Sequence, residues 1–209
     1  MPHSNAIFWS AAILLGLFGG IDTPAPLAWA AWLAPCAGWH LGALGTLSAS
    51  RWALSVVLGS LGTLCALGMF GLYGASEALL AFIALAGLFL VPFGLARRFG
   101  CSAAATKTAC GLAVVGIVLA ILPTSGGLLS SGWAKRSPAA AGLVMDASPM
   151  VFVVESAGVD ALRLPMFYKS DSTDFVMGTR RPWNTPLAPL ALLVVGCVLV
   201  LLPSRPRPT

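Results

Sequence analysis

The sequence predicts an all-α, polytopic membrane protein with about six transmembrane helices and one long external segment. Of the 209 residues, 58% are hydrophobic and only 9% are charged, whereas globular domains carry roughly 25% charged residues. One soluble core cannot bury that much apolar surface. In addition, six apolar windows approach the roughly 20 residues that a helix needs to cross a hydrocarbon core of about 30 Å. Residues 124–185 are the only long stretch too polar for a bilayer.

The first five windows lie in residues 1–123 and cover residues 6–21, 26–47, 52–74, 77–96 and 102–122. The second window contains Pro35 and His40, so it is the one that we expect to kink, or to re-enter instead of spanning the membrane. The third and fourth windows are so close in sequence that they form an antiparallel hairpin. Ser76 is the expected N-cap of the fourth.

The last window lies in residues 186–209 and ends in a short basic tail. Thr185 is the expected N-cap, Pro186 the first helical residue and Pro203 the end of the helix. Six of the twelve Lys and Arg residues fall in short connections on one side of the predicted membrane or in this tail. Because such cations stay in the cytoplasm, both termini are predicted to be cytoplasmic and residues 124–185 external, on the periplasmic side of a bacterial inner membrane.

The external segment is predicted to carry one short amphipathic helix over about residues 149–164. Ser148 and Pro149 have the order of an N-cap and a first helical residue, and Pro165 marks the end. Residues 124–142, which precede the helix, are rich in Gly, Ser and Ala and predict a loop. Polar Ser156, Asp160 and Arg163 fall on one side of this helix, and the other side is apolar. The pattern favours a helix that lies on the membrane face or covers the bundle.

After Pro165 the external segment carries several aromatic side chains. They suit contact with the membrane interface or docking of another protein. The residues that we single out as candidates for docking a partner are Glu155, Asp160, Arg163, Phe167, Tyr168 and Trp183.

His40 is the only ionisable side chain predicted well inside a membrane helix, and such groups are candidates for function. Cys36 lies one turn before it, so both side chains face one side of the helix. A haem or metal site needs further ligands, and the only other histidine is His3. The interpretation that we prefer is a histidine bonded to a neighbouring carbonyl or reaching toward the membrane interface, and we expect no metal and no cofactor.

Glycines one turn apart recur along the predicted helices. Gly16 precedes Gly20, and Gly38 precedes Gly42, by four residues. This spacing lets two helix backbones approach closely, which favours helix association in lipid. We expect most of these glycines to serve packing within the bundle.

The run PAPLAWAAWLAPCAGWHL, residues 24–41, resembles the second-helix region of the apolipoprotein N-acyltransferases, which also carry an external domain before their last helix. The resemblance implies a membrane bundle and covers less than a tenth of the chain. That family's catalytic domain is far larger than residues 124–185, and its Glu, Lys and Cys set has no counterpart because this segment contains no cysteine. The acyltransferase activity is therefore not carried over.

These patterns favour a non-catalytic integral membrane subunit, or an accessory or scaffold protein, of a larger transport or respiratory complex. Its expected partners are the lipid bilayer and other membrane subunits, and not nucleic acid, because the basic residues form no run. One alternative is a small self-sufficient carrier or channel lined by the few polar residues of the helices, His40, Thr46, Ser55, Ser60, Thr63 and Thr108. A second alternative is a membrane-embedded lipid-modifying enzyme that uses the carboxyl groups of Glu155 and Asp160.

Overall fold

The computed structural model describes residues 2–19, 25–44, 47–69, 74–99, 136–160 and 186–202. All elements in these ranges are helical, which confirms the predicted all-α class. They are α1 (Pro2–Leu14), continued by a 3-10 helix (Leu15–Gly19), then α2 (Ala25–Leu44), α3 (Leu47–Met69), α4 (Ala75–Phe99), α5 (Pro138–Asp146), α6 (Pro149–Ser156) and α7 (Leu187–Leu201). The predicted window at residues 102–122 lies outside the described residues.

Helix α4 is the centre of the described bundle. It packs most extensively against α2 and α7 and also contacts α3 and α6. Its sequence suits a long helix: Glu77 lies in the first turn, and Arg97 and Arg98 lie in the last. Charges in these positions complement the helix dipole. Phe89 and Phe93 of α4 are fully buried, and their rings pack 5.9 Å apart in the core.

Glycines bring α2 and α4 into backbone contact. Gly38 lies against the carbonyl group of Phe89, and Gly42 lies against that of Phe93. A Cβ atom at either glycine would overlap the carbonyl oxygen, so only glycine fits. The predicted role of this glycine pair in packing is thus confirmed. Because both pairs advance by four residues in the same direction, α2 and α4 run parallel.

A second set of glycines brings α7 onto another face of α4. A Cβ atom at Gly94 would lie 2.6 Å from Leu199 Cβ, and one at Gly196 would lie 2.7 Å from Leu90 Cβ. The pairing again advances in one direction, so α7 also runs parallel to α4. At its end, the Arg97 guanidinium donates a hydrogen bond of 3.0 Å to the carbonyl of Val200. This bond satisfies one of the last carbonyls of α7, which have no partner within the helix.

Helix α2 continues as a single element of 20 residues with Pro35 inside it. The re-entrant turn considered for this window is therefore not present between Ala25 and Leu44. Trp9 bonds to His40, and Trp29 donates a hydrogen bond of 2.7 Å to the carbonyl of Ala12. The later residue of α1 thus meets the earlier residue of α2, so the two helices run antiparallel.

Two predicted N-caps differ from the structure. Ser76 lies inside the first turn of α4 and donates a hydrogen bond of 2.7 Å to Glu77 Oε2, so it is not the N-cap. The carboxylate of the next residue competes successfully for its hydroxyl. At α7 the N-cap is Pro186, one residue later than predicted, and Thr185 lies outside the described residues.

The predicted loop at residues 124–142 is wrong for its last part, because α5 begins at Pro138. Ser137 and Pro138 occupy the N-cap and the first helical position, the same pair of residue types that precedes α6. The three alanines that follow are strong helix formers. The same Ser-Pro signal that predicted α6 was thus available for α5.

Helix α6 begins where it was predicted, after Ser148, but ends at Ser156 instead of near residue 164. The Gly158 N–H donates a hydrogen bond of 2.9 Å to the carbonyl of Glu155, and the Val159 N–H donates one of 3.1 Å to the carbonyl of Val154. Together with the positive φ of 77° at Gly158, this is a Schellman motif, which ends a helix. Glycine adopts that conformation without strain, which explains the early stop.

Helix α6 packs inside the bundle instead of lying on its surface. It contacts both α2 and α4, and its buried residues are Met150, Val151, Val153, Val154, Glu155 and Ser156. On the side predicted to be polar, Ser156 is therefore buried, whereas Asp160 lies exposed beyond the end of the helix. At its end, the Cβ position of Gly158 lies 3.9 Å from Glu77 Cγ at the start of α4. At its beginning, Ser148 and Pro149 line a groove together with Leu88, in the middle of α4. Helix α6 thus runs antiparallel to the first half of α4.

One described helix, Ala75–Arg98, has the length and composition needed to cross a membrane. Shorter apolar helices cover Ser4–Phe18, Arg51–Leu67 and Leu187–Leu201.

Candidate functional site: buried polar groups on α6 and an adjoining groove

Among the places in the described structure that combine polar groups with burial, two bear on the candidate site. One is the contact between α1 and α2 at His40. The other is α6 with the groove at its N-terminal end.

His40 is bonded within the protein, but its partner is a tryptophan side chain and not the neighbouring carbonyl that the sequence predicted. Trp9 Nε1 donates a hydrogen bond of 2.9 Å to His40 Nδ1, and the two rings meet edge to face with centroids 5.9 Å apart. Because Nδ1 accepts this bond, the neutral ring carries its proton on Nε2. The contact fixes α1 against α2.

Cys36 does not join His40 in a common site. Its thiol donates a hydrogen bond of 3.4 Å to the carbonyl of Trp32, in the preceding turn of α2. Within the described ranges, no three His, Cys, Asp or Glu side chains come together in a way that could hold a metal ion.

Helix α6 carries polar side chains into the core. Glu155 is 1% exposed and Ser156 is 3% exposed, while Asp160, beyond the Schellman turn, is exposed. Glu155 therefore does not belong to a docking surface, although it was a candidate for one. Helix α6 contacts both α2 and α4, and Glu155 is buried in this packing. Asp160 is the docking candidate that the structure describes on the surface.

The remaining docking candidates, Arg163, Phe167, Tyr168 and Trp183, lie outside the described residues. The carboxyl groups of Glu155 and Asp160, considered for catalysis, are in different environments: one is buried in the bundle and the other faces outward.

A groove of about 430 Å³ opens beside the N-terminus of α6. Its walls are α4, α7 and the junction between α5 and α6, and its lining residues are Leu88, Asp146, Ala147, Ser148, Pro149, Phe152, Ala188, Ala191, Leu192 and Val195. All but Asp146 and Ser148 are apolar. Its volume is within the roughly 300–1,000 Å³ of small-molecule sites.

Ser148 supplies a polar group at this groove. It is 1% exposed, and its Oγ has no hydrogen-bond partner among the described residues. Although Ser148 is the N-cap of α6, its side chain does not bond to the N–H groups of the first turn. A buried hydroxyl without a partner costs free energy. The first N–H groups of α6 therefore have no side-chain cap.

Three hydroxyl groups of α3 are engaged within their own helix. Ser55, Ser60 and Thr63 each donate to the carbonyl four residues earlier, at 3.0, 2.9 and 2.9 Å. Thr46 and Thr108, the other hydroxyl groups considered for a polar path, lie outside the described residues.

Sequence reasoning did not foresee the groove or the burial of Glu155. The walls of the groove come from α4, the α5–α6 junction and α7. These elements are far apart in the chain, and no pattern of residue spacing connects them. The run of buried β-branched residues Val151, Val153 and Val154 was a usable signal, because a surface helix seldom carries apolar residues all round.

Comparison of the chain with models of protein families, with curated proteins and with solved structures finds no match.

Proposed function

We propose that this protein is a non-catalytic integral membrane subunit, an accessory or scaffold protein of a larger membrane complex. The observation that carries the proposal is the two-sided character of α7. One face packs through Gly196 onto α4. The other presents large apolar side chains to the outside, namely Leu187, Leu190, Val194, Val195, Val198 and Leu201. Such a face suits contact with lipid or with another transmembrane helix.

The parallel packing of α2, α4 and α7 supports a chain that crosses the membrane several times. Windows two, four and six of a chain that crosses a bilayer six times run in the same direction, and α2, α4 and α7 correspond to these windows. Arg97 and Arg98, at the common C-terminal end of α4, then lie on the cytoplasmic side. The proposed location is the bacterial inner membrane, with both termini in the cytoplasm.

In this arrangement α5 and α6 form a re-entrant pair and not a surface element. Helix α6 extends from Gly158, near Glu77 at the outer end of α4, to Ser148, beside Leu88 in its middle. The ten residue steps from Ser148 to Gly158 correspond to a helical rise of about 15 Å, half the thickness of a hydrocarbon core. A helix that begins inside the membrane leaves backbone groups without partners there. Such groups are tolerated where protein covers them, and α2 and α4 contact α6.

Purification from native membranes tests the proposal. A tagged, full-length copy is extracted in mild detergent, and the proteins that accompany it are identified and counted by quantitative mass spectrometry. We expect a membrane protein in a fixed ratio to the tagged chain. Replacing exposed Leu190 and Val194 by Trp should reduce the recovered partner, while Leu67→Trp, at an exposed position on α3, is the matched control.

A protein that runs alone at monomer mass, with no co-purifying partner from intact membranes, would contradict the proposal. If that protein also carried solute flux in liposomes, the carrier alternative would replace it.

A further inference from the structure

The last turn of α4 carries two cations, Arg97 and Arg98. Both side chains are partly exposed, and within the described residues neither forms an ion pair with a carboxylate. The acidic residue of the same helix, Glu77, lies in its first turn, at the opposite end. The C-terminal ends of the parallel helices α2, α4 and α7 bring roughly half a negative charge each, which is less in sum than the two guanidinium charges. Positive charge therefore remains at this end of the described bundle.

Arg97 lies at the seam between α4 and α7. Its guanidinium donates a hydrogen bond of 3.0 Å to the carbonyl of Val200, and Gly94, nearly one turn earlier in α4, lies against the backbone of Leu199 and Val200. A guanidinium has five N–H donors, so this bond leaves others for a second acceptor. Because the bond to Val200 already fixes the side chain, binding that acceptor orders it less than it would order a free arginine.

Exposed apolar side chains lie directly beside this guanidinium. The carbonyl of Val200 belongs to the peptide bond with Leu201, and Leu201 is 84% exposed. Val198 and Leu202, in the same last turn of α7, are 50% and 37% exposed. A cation beside an exposed apolar surface matches a phospholipid, because that molecule joins a charged phosphate directly to hydrocarbon chains.

Charge decides which phospholipid fits. Arginine binds phosphate through charge-assisted and often bidentate hydrogen bonds. In the proposed orientation Arg97 and Arg98 lie at the cytoplasmic boundary of the membrane, where the phosphates of the inner leaflet also lie. A zwitterionic lipid would bring its own cationic group toward the two arginines, and like charges repel. An anionic lipid brings no such group.

We propose that the cytoplasmic end of the α4–α7 seam binds an anionic phospholipid, such as phosphatidylglycerol. Arg97 and Arg98 bind its phosphate, and an acyl chain lies against Val198 and Leu201. The site rests on the membrane orientation in the proposed function but not on a partner subunit. Lipid binding is measured on the purified chain and partner binding by recovery from native membranes, so either proposal can fail while the other holds.

Native mass spectrometry of the full-length protein in mild detergent tests the site. The protein is titrated with phosphatidylglycerol and, separately, with phosphatidylcholine that has the same acyl chains. We expect phosphatidylglycerol to bind about tenfold more tightly, equivalent to about 1.4 kcal/mol of binding free energy. Equal binding of the two lipids would overturn the proposal.

Variants test whether the two arginines carry this preference. Arg98→Gln should lower it about fivefold and should fold normally, because within the described residues the Arg98 side chain has no hydrogen-bond partner to lose. Arg97→Gln should act in the same direction. Arg51→Gln is the matched control: it removes the same charge from an exposed position on α3, which packs mainly against α1 and α4. An equal loss in Arg51→Gln would show a general effect of net charge and would overturn the site.

Photolabelling in nanodiscs locates the acyl chain. Phosphatidylglycerol with a diazirine in one acyl chain should label residues 197–202 more than phosphatidylcholine with the same diazirine. Both probes should label exposed Phe8 and Phe18 alike, since these side chains report ordinary boundary lipid. Equal labelling of residues 197–202 by the two probes would contradict the site. Displacement of the phosphatidylglycerol probe by soluble glycerol 3-phosphate would show an anion site that does not use the apolar face, and would also overturn the proposal.

Discussion

Gly42 of α2 lies directly against the backbone carbonyl of Phe93 in α4, with no room between them for a single methyl group. The same relationship joins Gly38 to Phe89 one turn earlier. This contact is rigid because the touching atoms belong to the two backbones. Backbone atoms cannot rotate away from each other as a side chain can. The α2–α4 interface should therefore be the part of the bundle most sensitive to small changes of volume.

Gly42→Ala should lower the free energy of unfolding by about 1–3 kcal/mol, because the added methyl group forces the two helix backbones apart. Thermal unfolding of the full-length protein in detergent measures the effect. Gly59→Ala is the matched control: a Cβ atom at Gly59 meets nothing within 4 Å. It should leave stability unchanged or raise it by about 0.5–1 kcal/mol, since alanine favours a helix interior over glycine. Equal effects at both positions would contradict the packing described here.

The bond from Trp9 to His40 should be detectable as an energetic coupling. Trp9→Phe keeps an aromatic ring but removes the donor, and His40→Ala removes the acceptor. In a double-mutant cycle we expect the two changes to couple by about 0.6–1.5 kcal/mol, the range of interhelical hydrogen bonds. Trp29→Phe paired with His40→Ala should be additive, because Trp29 donates to Ala12 instead. Additivity in both cycles would contradict the Trp9–His40 bond.

Arg97 should stabilise the C-terminal end of α7 through Val200. Arg97→Met keeps much of the side-chain volume and removes the hydrogen bond, so we expect a loss of about 1–2 kcal/mol. Arg98→Met removes the same charge from the adjacent position and provides the comparison. Hydrogen exchange at the last turn of α7 reports the local effect. Faster exchange in both variants alike would indicate a general effect of charge and not a specific cap.

Cysteine accessibility should distinguish a buried α6 from a helix on the surface. In a background with the five native cysteines replaced, Ser156→Cys should resist a membrane-impermeant maleimide because this position is 3% exposed. Asp160→Cys should react, since it is exposed beyond the turn. Sealed vesicles of known orientation then place residue 160 on one side of the membrane. Rapid labelling of both positions would support the surface helix that the sequence predicted.

Gly158→Ala should destabilise the turn that ends α6. Gly158 has a φ of 77°, and an alanine in this left-handed region costs about 1–2 kcal/mol. Space does not explain the cost, because the nearest atom to a Cβ there is 3.9 Å away. Gly62→Ala, which makes an ordinary contact of 3.6 Å with Phe82 in a helix, is the control. A neutral Gly158→Ala would contradict the Schellman motif.

Most helices of the described chain could be predicted from composition and from local signals. Long apolar runs need the helix to satisfy their backbone groups, and Ser-Pro pairs mark N-termini, as at Ser148–Pro149. The spacing of Gly38 and Gly42 likewise predicted close packing. These signals depend only on neighbours in the chain. Where the prediction failed, at Ser76 and at the end of α6, a competing local contact or a glycine turn outweighed them.

The sequence alone determined the all-α class, the apolar character and the approximate position of each described helix except α5. Only the tertiary structure decided that α6 is buried, that Glu155 is inside the bundle, and that a groove opens between α4 and α7. The physical reason is that burial depends on what surrounds a residue in space. Helices α2, α4 and α7 are distant in the chain. The backbone contacts of their glycines bring α2 and α4 together against α6, and bring α7 beside α4 at the groove.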